Sequence, residues 1–225
     1  MKKNKTDSKL IRISALFLAV FCLLLAGCGG LLTGGTGTTG SAGSSGTAGK
    51  DAIDTVSPGS SFTVHYIDVG QGDASLIVCD GKTMLIDGGD KSASSVVYTY
   101  LKKLGLTYLD YVVCTHPDAD HVGGLSGALE FATAGTVWCP VDSYDSKAFN
   151  NFKTRVEAQG NTLVRPAVDS VFPLGSATVT VLAPRGDYSD NNNKSIVLRV
   201  VYGETSFLFT GDAEYQSEAA MCDAK

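Results

Sequence analysis

The chain has 225 residues, which is enough for one folded domain of ordinary size. Its 18 Lys and Arg residues against 23 Asp and Glu residues give a formal net charge of −5 at pH 7. This balance offers no bulk electrostatic attraction for polyanions. It therefore excludes a nucleic-acid-binding protein that relies on charge alone, but it is compatible with an enzyme that meets phosphate through bound cations.

Residues 1–27 have the pattern of an export signal. Basic residues at the start precede an apolar run, residues 13–25, and small residues then lead to Cys28. The run is short for a bilayer-spanning helix, although an uncleaved membrane anchor is the alternative. The segment resembles a bacterial lipoprotein signal. That resemblance implies that Cys28 becomes a lipidated N-terminus, which anchors the chain to the cell membrane outside the cytoplasm.

Gly, Ser and Thr dominate residues 28–60, which predicts a flexible linker. Without residues 1–27, which hold five basic residues and one acidic residue, the chain keeps 13 basic and 22 acidic residues and a formal charge of −9. The folded domain is predicted over residues 61–225. Attraction for a phosphodiester would then have to come from bound cations or from a local basic patch.

Apolar periodicity and turn residues predict a domain in which strands come first, then alternate with helices, and then repeat as strands. Two packed sheets with helices outside, an αββα layering of the α+β class, would bury such elements. The predicted strands are 62–69, 74–78, 83–86, 108–114, 136–139, 163–165, 171–174, 177–182, 196–202 and 206–210. The predicted helices are 92–104, a short helix from Gly123-Gly124 through Phe131, 146–159, and a last helix from Gly211-Asp212 to Lys225.

The cysteines of the domain show no CxxC spacing, so a structural zinc site is not indicated. Most of them lie in or at the end of apolar runs, which favours buried thiols, with disulfides as the alternative outside the cytoplasm. They are Cys79, Cys114, Cys139 and Cys222.

One loop concentrates side chains that can bind a metal. His116 and His121, two of three histidines in the chain, lie with Asp118 and Asp120 directly after an apolar strand. Pro117 disfavours helical geometry for His116, so we expect a loop that turns all four side chains toward one point. Mixed His and Asp ligands suit zinc, manganese or iron. A calcium loop, which the imidazoles argue against, and a hydrated acidic loop without metal are the alternatives.

The pattern His116-x-Asp118-x-Asp120-His121 resembles the metal motif of the metallo-β-lactamase superfamily, in which HxHxDH is usual. Three further segments, 68–74, 85–89 and 207–212, are similar to the hydrolase domain of ComEC-type DNA-uptake competence proteins. The resemblance runs from about Phe62 to the C-terminus. It implies a four-layer αββα metallo-β-lactamase-like sandwich.

The resemblance also implies a centre with two divalent ions, zinc or manganese. His116 and Asp118 would hold the first ion, Asp120 and His121 the second, and Asp212 would bridge them. Asp120 would also orient the attacking water. The remaining residues implied to support the loops or the substrate are Asp87, Asp73, Asn193 and Ser195.

One part of the family pattern is missing from the sequence. The family continues beyond the helix after Asp212 to an His-His-Gly-Ser motif, whereas this chain ends at Lys225. We therefore expect an incomplete second half, from a truncated reading frame or from the loss of a ligand for the second ion. His65 alternates with its neighbours in a strand and is predicted to be a packed or surface residue.

Taken together, the resemblance implies a metal-dependent hydrolase, in particular a phosphodiesterase or nuclease with DNA or another phosphodiester as substrate. Two alternatives stay open at this point. The same fold could hydrolyse an ester, amide or thioester, or the chain could be a catalytically impaired surface binding module. The only partners indicated are the membrane, through the N-terminal lipid, and the substrate; no pattern points to a protein partner.

Overall fold

The computed structural model describes residue 59 and residues 61–224. The predicted signal, Cys28 and almost all of the predicted linker lie outside the described residues. The strands of the described part are β1 (Phe62–Tyr66), β2 (Ser75–Cys79), β3 (Lys82–Ile86), β4 (Tyr108–Val113), β5 (Thr133–Trp138), β6 (Leu163–Val164), β7 (Val171–Leu174), β8 (Ala177–Ala183), β9 (Val197–Tyr202) and β10 (Thr205–Phe209). The helices are α1 (Ser94–Leu104), α2 (Ala119–Val122), α3 (Leu125–Phe131), α4 (Lys147–Ala158) and α5 (Tyr215–Asp223).

The first six strands form one mixed sheet in chain order. β1 pairs antiparallel with β2, and β2 pairs antiparallel with β3. Asp80 and Gly81, with φ of 50° and 80°, close the two-residue hairpin between β2 and β3. β3 to β6 pair in parallel, since helices separate each of these strands from the next. The carboxyl ends of β3 and β4 therefore lie at the same edge of the sheet, and the loops that follow them meet there.

The last four strands form a second, antiparallel sheet in the order β10-β9-β8-β7. In β8 every second residue is buried, so one face of this sheet is apolar. That face packs against the first sheet and forms a shared core. The packed residues include Ile77, Met84 and Ile86 of the first sheet with Val179, Leu198 and Val200 of the second.

Helices cover the outer faces of both sheets. α1, α3 and α4 pack on the first sheet, where Leu101 and Phe152 are fully buried. α5 lies on the outer side of the second sheet, where Met221 lines a cavity of about 500 Å³ with Leu182 and Leu208. The layers follow the order helix, sheet, sheet, helix, and the predicted αββα sandwich is confirmed.

The structure differs from the sequence predictions in the segment after Pro117. Residues 119–122 form the short helix α2, in which the N–H groups of His121 and Val122 donate to the carbonyl of Asp118 at 3.1 and 3.0 Å. The prediction of a wholly non-helical loop is therefore wrong for this turn, because the proline restricts only His116 before it. β1 also ends three residues earlier than predicted, and β5 begins three residues earlier, at Thr133.

The prediction of buried thiols is confirmed for Cys79, Cys114 and Cys139. It is wrong for Cys222 near the C-terminus, which is an exposed free thiol. His65 lies in β1 with its Nδ1 2.9 Å from the hydroxyl of Tyr100, as expected for a packed strand residue. Within residues 61–224, the helices are too short and too polar to cross a bilayer.

The loop after β3 and the loop after β4 cross in contact at two glycine pairs, Gly88-Gly89 and Gly123-Gly124. The N–H of Gly124 donates to the carbonyl of Gly89 at 2.9 Å, and the N–H of Gly88 donates to that of His121 at 2.9 Å. A Cβ atom on Gly124 would lie 1.7 Å from the carbonyl oxygen of Gly88. Only glycine fits at this crossing, which brings His121 next to the end of β3.

Candidate metal centre

The centre forms around Asp87, the first residue after β3. Asp87 has φ of 57°, a left-handed conformation that Asp tolerates better than most residues, and its N–H donates to the carbonyl of Val113 at 2.8 Å. The side chain is fully buried. Its carboxylate accepts hydrogen bonds from the Thr115 N–H at 2.8 Å, from the Thr115 hydroxyl at 2.6 Å and from Nδ1 of His121 at 3.0 Å.

The contact with Asp87 sets the proton state of His121. A carboxylate can only accept, so Nδ1 of His121 donates to it and Nε2 is directed away, into the centre. Burial works against the charged ring, but the hydrogen bond and charge of Asp87 outweigh it and raise the pKa of His121 to about 9. The ring is therefore protonated at neutral pH unless a cation takes the place of the Nε2 proton.

His116 is oriented by two hydroxyl groups. Its Nδ1 lies 3.0 Å from Oγ1 of Thr115 and 3.4 Å from Oγ of Ser195. Because the Thr115 hydroxyl donates its hydrogen to Asp87, its oxygen accepts from Nδ1–H of His116. Burial, and then the charge of His121, lower the pKa of His116, so this imidazole is neutral with its lone pair on Nε2.

Asp212, in the turn after β10, completes a convergent group with the two imidazoles. Ligand atoms of His116, His121 and Asp212 all lie within 4.8 Å of one another. Asp212 Oδ1 is 3.2 Å from Nε2 of His121, and Oδ2 is 3.9 Å from Nε2 of His116. The two histidine side chains are buried, whereas that of Asp212 is 42% exposed, so the group opens to solvent on its carboxylate side.

This group fits a divalent metal ion. Nε2 of His116 is buried and has no hydrogen-bond partner among the described residues. Leaving a buried polar atom unsatisfied costs about 1–3 kcal/mol, and a bound cation would remove that cost. Two imidazoles and a carboxylate suit zinc or manganese better than calcium. Nδ1 of each histidine, which lies on the side away from the centre, is hydrogen-bonded, as is usual for metal-binding histidines.

The structure places Asp118 next to this group and Asp120 apart from it. Asp118 Oδ2 lies 3.7 Å from Nε2 of His116. Asp120, in α2, is not among the convergent side chains, and its Oδ2 accepts a hydrogen bond from Nε2 of Gln71 at 3.1 Å. Burial opposes ionisation of Asp120, but the hydrogen bond from Gln71 lowers its pKa. The expectation that all four loop side chains meet at one point is therefore not met for Asp120 in this structure.

Besides Asp87, the residues predicted to support the loops or the substrate occupy different places. Ser195 accepts a hydrogen bond from the N–H of Asp212 at 3.2 Å and so connects Asp212 to His116. Asn193 is buried and faces away, since it accepts from the N–H of Ser217 in α5 at 2.9 Å. Asp73 lies near the centre, because the charges of His121, Asp87 and Asp212 act on it. Burial raises the pKa of its carboxyl group, and the charge of His121 partly offsets this.

Sequence reasoning missed four residues of the centre. Thr115 directly precedes His116 and could have been found from its position, and Gln71 lies in one of the segments that carried the family resemblance. Tyr144 and Asn191 contact Asp118 from loops far along the chain. Nothing in their local sequence indicates this, because Tyr144 reaches Asp118 from the loop after β5 of the first sheet and Asn191 reaches it from the second sheet.

Comparison with known proteins assigns residues 67–224 to the family model described as the metallo-beta-lactamase superfamily. ComE operon protein 3 of Bacillus subtilis is 25% identical over 174 residues, 69% of this chain and 22% of that protein. Competence protein ComA of Neisseria gonorrhoeae is 28% identical over 165 residues, 73% of this chain and 22% of that protein. Recombination protein 2 of Haemophilus influenzae is 28% identical over 164 residues, 70% and 19% of the two chains. The chain thus spans about a fifth of the length of these curated relatives.

Solved structures with a similar fold include the metallo-beta-lactamase SMB-1 bound to 2-mercaptoethanesulfonate, with 20% identity, a TM-score of 0.47, and coverage of 72% of this chain and 68% of that chain. The metallo-beta-lactamase fold protein YhfI of Bacillus subtilis has 18% identity, a TM-score of 0.45, and coverage of 71% and 65%.

Proposed function

The chain belongs to the metallo-β-lactamase superfamily, and we propose that it is a metal-dependent phosphodiesterase whose substrate is DNA or a related phosphodiester. The observation that carries this proposal is the convergence of His116, His121 and Asp212, with an unsatisfied buried nitrogen directed into the space between them. The similarity to proteins named for competence supports the choice of a phosphodiester among the possible bonds.

We assign two divalent ions, zinc or manganese, to the centre. His116 and Asp118 would hold the first, Asp120 and His121 the second, with Asp212 between them. Bound divalent ions lower the pKa of water and neutralise charge on a phosphodiester. Gln71 occupies only Oδ2 of Asp120. The other oxygen, Oδ1, would be available to the second ion and to orient the attacking water.

The open side of the centre determines how a substrate would approach. The side chains of Asp118 and Asp212 are 34% and 42% exposed, whereas the histidines are buried. A phosphodiester would therefore meet the carboxylates first, and their charge repels it. Loading the centre with cations reverses this local charge, so substrate binding, as well as catalysis, should require metal.

We also propose that the enzyme works outside the cytoplasm as a lipoprotein. The basic start, the apolar run and Cys28 support this location, and the lipid would make the membrane its partner. Cys28→Ser is expected to abolish incorporation of labelled fatty acid. If the Cys28→Ser variant takes up as much label as the wild type, this part of the proposal is wrong.

The reaction is tested by incubating the full chain, loaded with manganese or zinc, with bis-p-nitrophenyl phosphate and with DNA. We expect hydrolysis that chelation abolishes and that His116→Ala abolishes as well. His65→Ala is the matched control, because His65 lies in β1 and contacts Tyr100 rather than the centre. A metal-loaded protein that leaves phosphodiesters intact but cleaves an ester, amide or thioester would overturn the assignment.

A further inference from the structure

Asp118 is contacted on one side by two side chains from distant parts of the chain. Nδ2 of Asn191 donates to Asp118 Oδ1 at 2.7 Å, and the hydroxyl of Tyr144 lies 3.5 Å from the same oxygen. Nδ2 of Asn191 also donates to the Tyr144 hydroxyl oxygen at 2.9 Å. An amide nitrogen only donates, so the hydroxyl hydrogen of Tyr144 is free to point at Asp118. The three groups form a closed set, and we call Asn191 and Tyr144 the Asp118 clamp.

Both members of the Asp118 clamp are themselves held. Nζ of Lys194 lies 3.4 Å from Oδ1 of Asn191, which directs the amide oxygen toward a cation and the NH₂ group toward Asp118. The ring of Tyr144 packs edge-on against Phe149, with 6.2 Å between the centroids, and Phe149 is fully buried. The Asp118 clamp therefore has a defined geometry although it lies at the surface.

The Asp118 clamp decides which carboxylate oxygen faces the centre. With Oδ1 occupied by Asn191 and Tyr144, Oδ2 is left 3.7 Å from Nε2 of His116. A carboxylate that is 34% exposed would otherwise be free to turn toward water. Holding it in advance reduces the conformational entropy that is lost when it binds an ion.

We propose that Asn191 and Tyr144 are positioning residues that hold Asp118 ready to bind the cation beside His116. The inference rests on the proposed metal centre but assigns to it two residues that contact no ion themselves. The contact between Asn191 and Asp118 connects the loop before β9 to the loop after β4, 73 residues away in the sequence. Groups that orient a ligand in this way typically change metal affinity 10- to 100-fold when they are removed.

The test is a double-mutant cycle on Mn²⁺ affinity, measured on the full chain by competition with a chromophoric chelator. Asn191→Leu is expected to weaken affinity by about 10- to 100-fold, and Tyr144→Phe to weaken it less because its contact is longer. In an Asp118→Ala background, Asn191→Leu should cause no further loss, since the residue that it positions is gone. Asn151→Leu and Tyr66→Phe are matched controls, because both residues are exposed and lie outside the centre.

A second readout is the visible absorption of the Co²⁺-loaded protein, which reports the ligands around the ion. It should change in Asn191→Leu and not in the two controls. Thermal unfolding of the metal-free variants shows whether each one folds. If Asn191→Leu does not fold, Tyr144→Phe, which removes a single oxygen atom, carries the same comparison.

Each outcome separates the inference from the proposed function. Equal losses in both backgrounds, or unchanged affinity in Asn191→Leu, would overturn the role of the Asp118 clamp while the metal centre stands. Coupled losses in a protein that hydrolyses no phosphodiester would support the clamp and overturn the proposed reaction. A full chain that binds none of Mn²⁺, Zn²⁺ and Co²⁺ would overturn both.

Discussion

The carboxylate of Asp87 acts on His116 through one intervening hydroxyl. Oγ1 of Thr115 lies 2.6 Å from Asp87 Oδ2 and 3.0 Å from Nδ1 of His116, and the same Oδ2 is 3.0 Å from Nδ1 of His121. One buried carboxylate therefore orients both imidazoles, one directly and one through Thr115. Both rings carry their outward proton on Nδ1 and direct Nε2 into the centre.

Thr115→Val tests this arrangement. Valine keeps the shape of the side chain but loses the hydroxyl, so Nδ1 of His116 loses its nearer acceptor and keeps only Ser195 Oγ at 3.4 Å, while Asp87 loses a donor. We expect metal affinity to fall about 10- to 100-fold and the metal-free protein to lose about 1–3 kcal/mol of unfolding free energy. Chelator competition and urea unfolding measure the two effects. Thr115→Ser, which keeps the hydroxyl, should stay close to wild type; a serine variant as weak as the valine variant would contradict the argument.

Metal binding should release a proton at neutral pH. The pKa of His121 is raised from 6.5 to about 9, chiefly by Asp87 acting against burial, so the ion must displace the Nε2 proton. Apparent affinity should then rise up to about tenfold per pH unit and level off above pH 9. Calorimetry at pH 7 in two buffers of different ionisation enthalpy counts the released proton. Asp87→Asn should lower the pKa of His121 and shrink the release, whereas a wild-type protein that releases no proton would contradict the assignment.

The same shift predicts how the stability of the metal-free protein depends on pH. The pKa of His121 is higher in the folded chain than its ordinary value of 6.5. Its contribution to stability is therefore fully present below pH 6.5 and is lost as the pH rises through 9. Urea unfolding of the chelated protein between pH 6 and 9.5 should show this decline. The decline should be smaller in His121→Gln, and an equal decline in that variant would assign it to other groups.

The lowered pKa of Asp110 predicts that the stability of the folded protein falls as the pH falls in acid. Burial opposes its ionisation, but the hydrogen bonds from Lys82 Nζ and the Thr83 N–H, each 2.9 Å, lower its pKa. This contribution is present above the ordinary carboxyl pKa of 3.8 and is lost as the pH falls through the lower folded value. Asp110→Asn should make unfolding less sensitive to pH below 4. Asp145→Asn, a change at an exposed position, is the control.

Gly124→Ala should damage the fold and the centre together. The added Cβ would lie 1.7 Å from the carbonyl oxygen of Gly88, which is backbone and cannot turn away. We expect a loss of about 1–3 kcal/mol of unfolding free energy from overpacking, together with weaker metal binding because the crossing places His121 beside Asp87. Gly160→Asn is the control, since no atom lies within 4 Å of a Cβ there and Asn tolerates the positive φ. A normal melting temperature in Gly124→Ala would contradict this account.

The sequence allowed the layers of the fold and much of the centre to be predicted, because both depend on local pattern. Alternating apolar residues mark β8, and glycine next to a carboxylate at a strand end marks Asp87 and Asp212. β5 begins earlier than predicted because Ala134 and Gly135 are of types depleted in strands, and Thr133 alone does not signal one. Pairing with β4 stabilises these residues as a strand although their local sequence does not favour one.

The contacts of Asp118 and Asp120 could not be predicted in the same way. Asp120 meets Gln71, 49 positions earlier, and Asp118 meets Asn191, 73 positions later. Gln71 and Asp120 lie between strands of the first sheet and meet once it has formed, whereas Asp118 meets Asn191 only when the second sheet packs on the first. The motif contains the candidate ligands but not the groups that hold them. The spacing of the motif alone made the four side chains look equivalent, whereas their hydrogen bonds separate Asp120 from the rest.

The three convergent side chains follow strands of both sheets. His116 and His121 follow β4 of the first sheet, and Asp212 follows β10 of the second. An ion bound by all three would cross-link the two layers, so its binding free energy would add to the stability of the fold in proportion to RT ln(1 + [L]/Kd). Chelation should then speed hydrogen exchange first in the β9–β10 hairpin. The supply of metal outside the protein would set how long the folded enzyme lasts, as well as how fast it works.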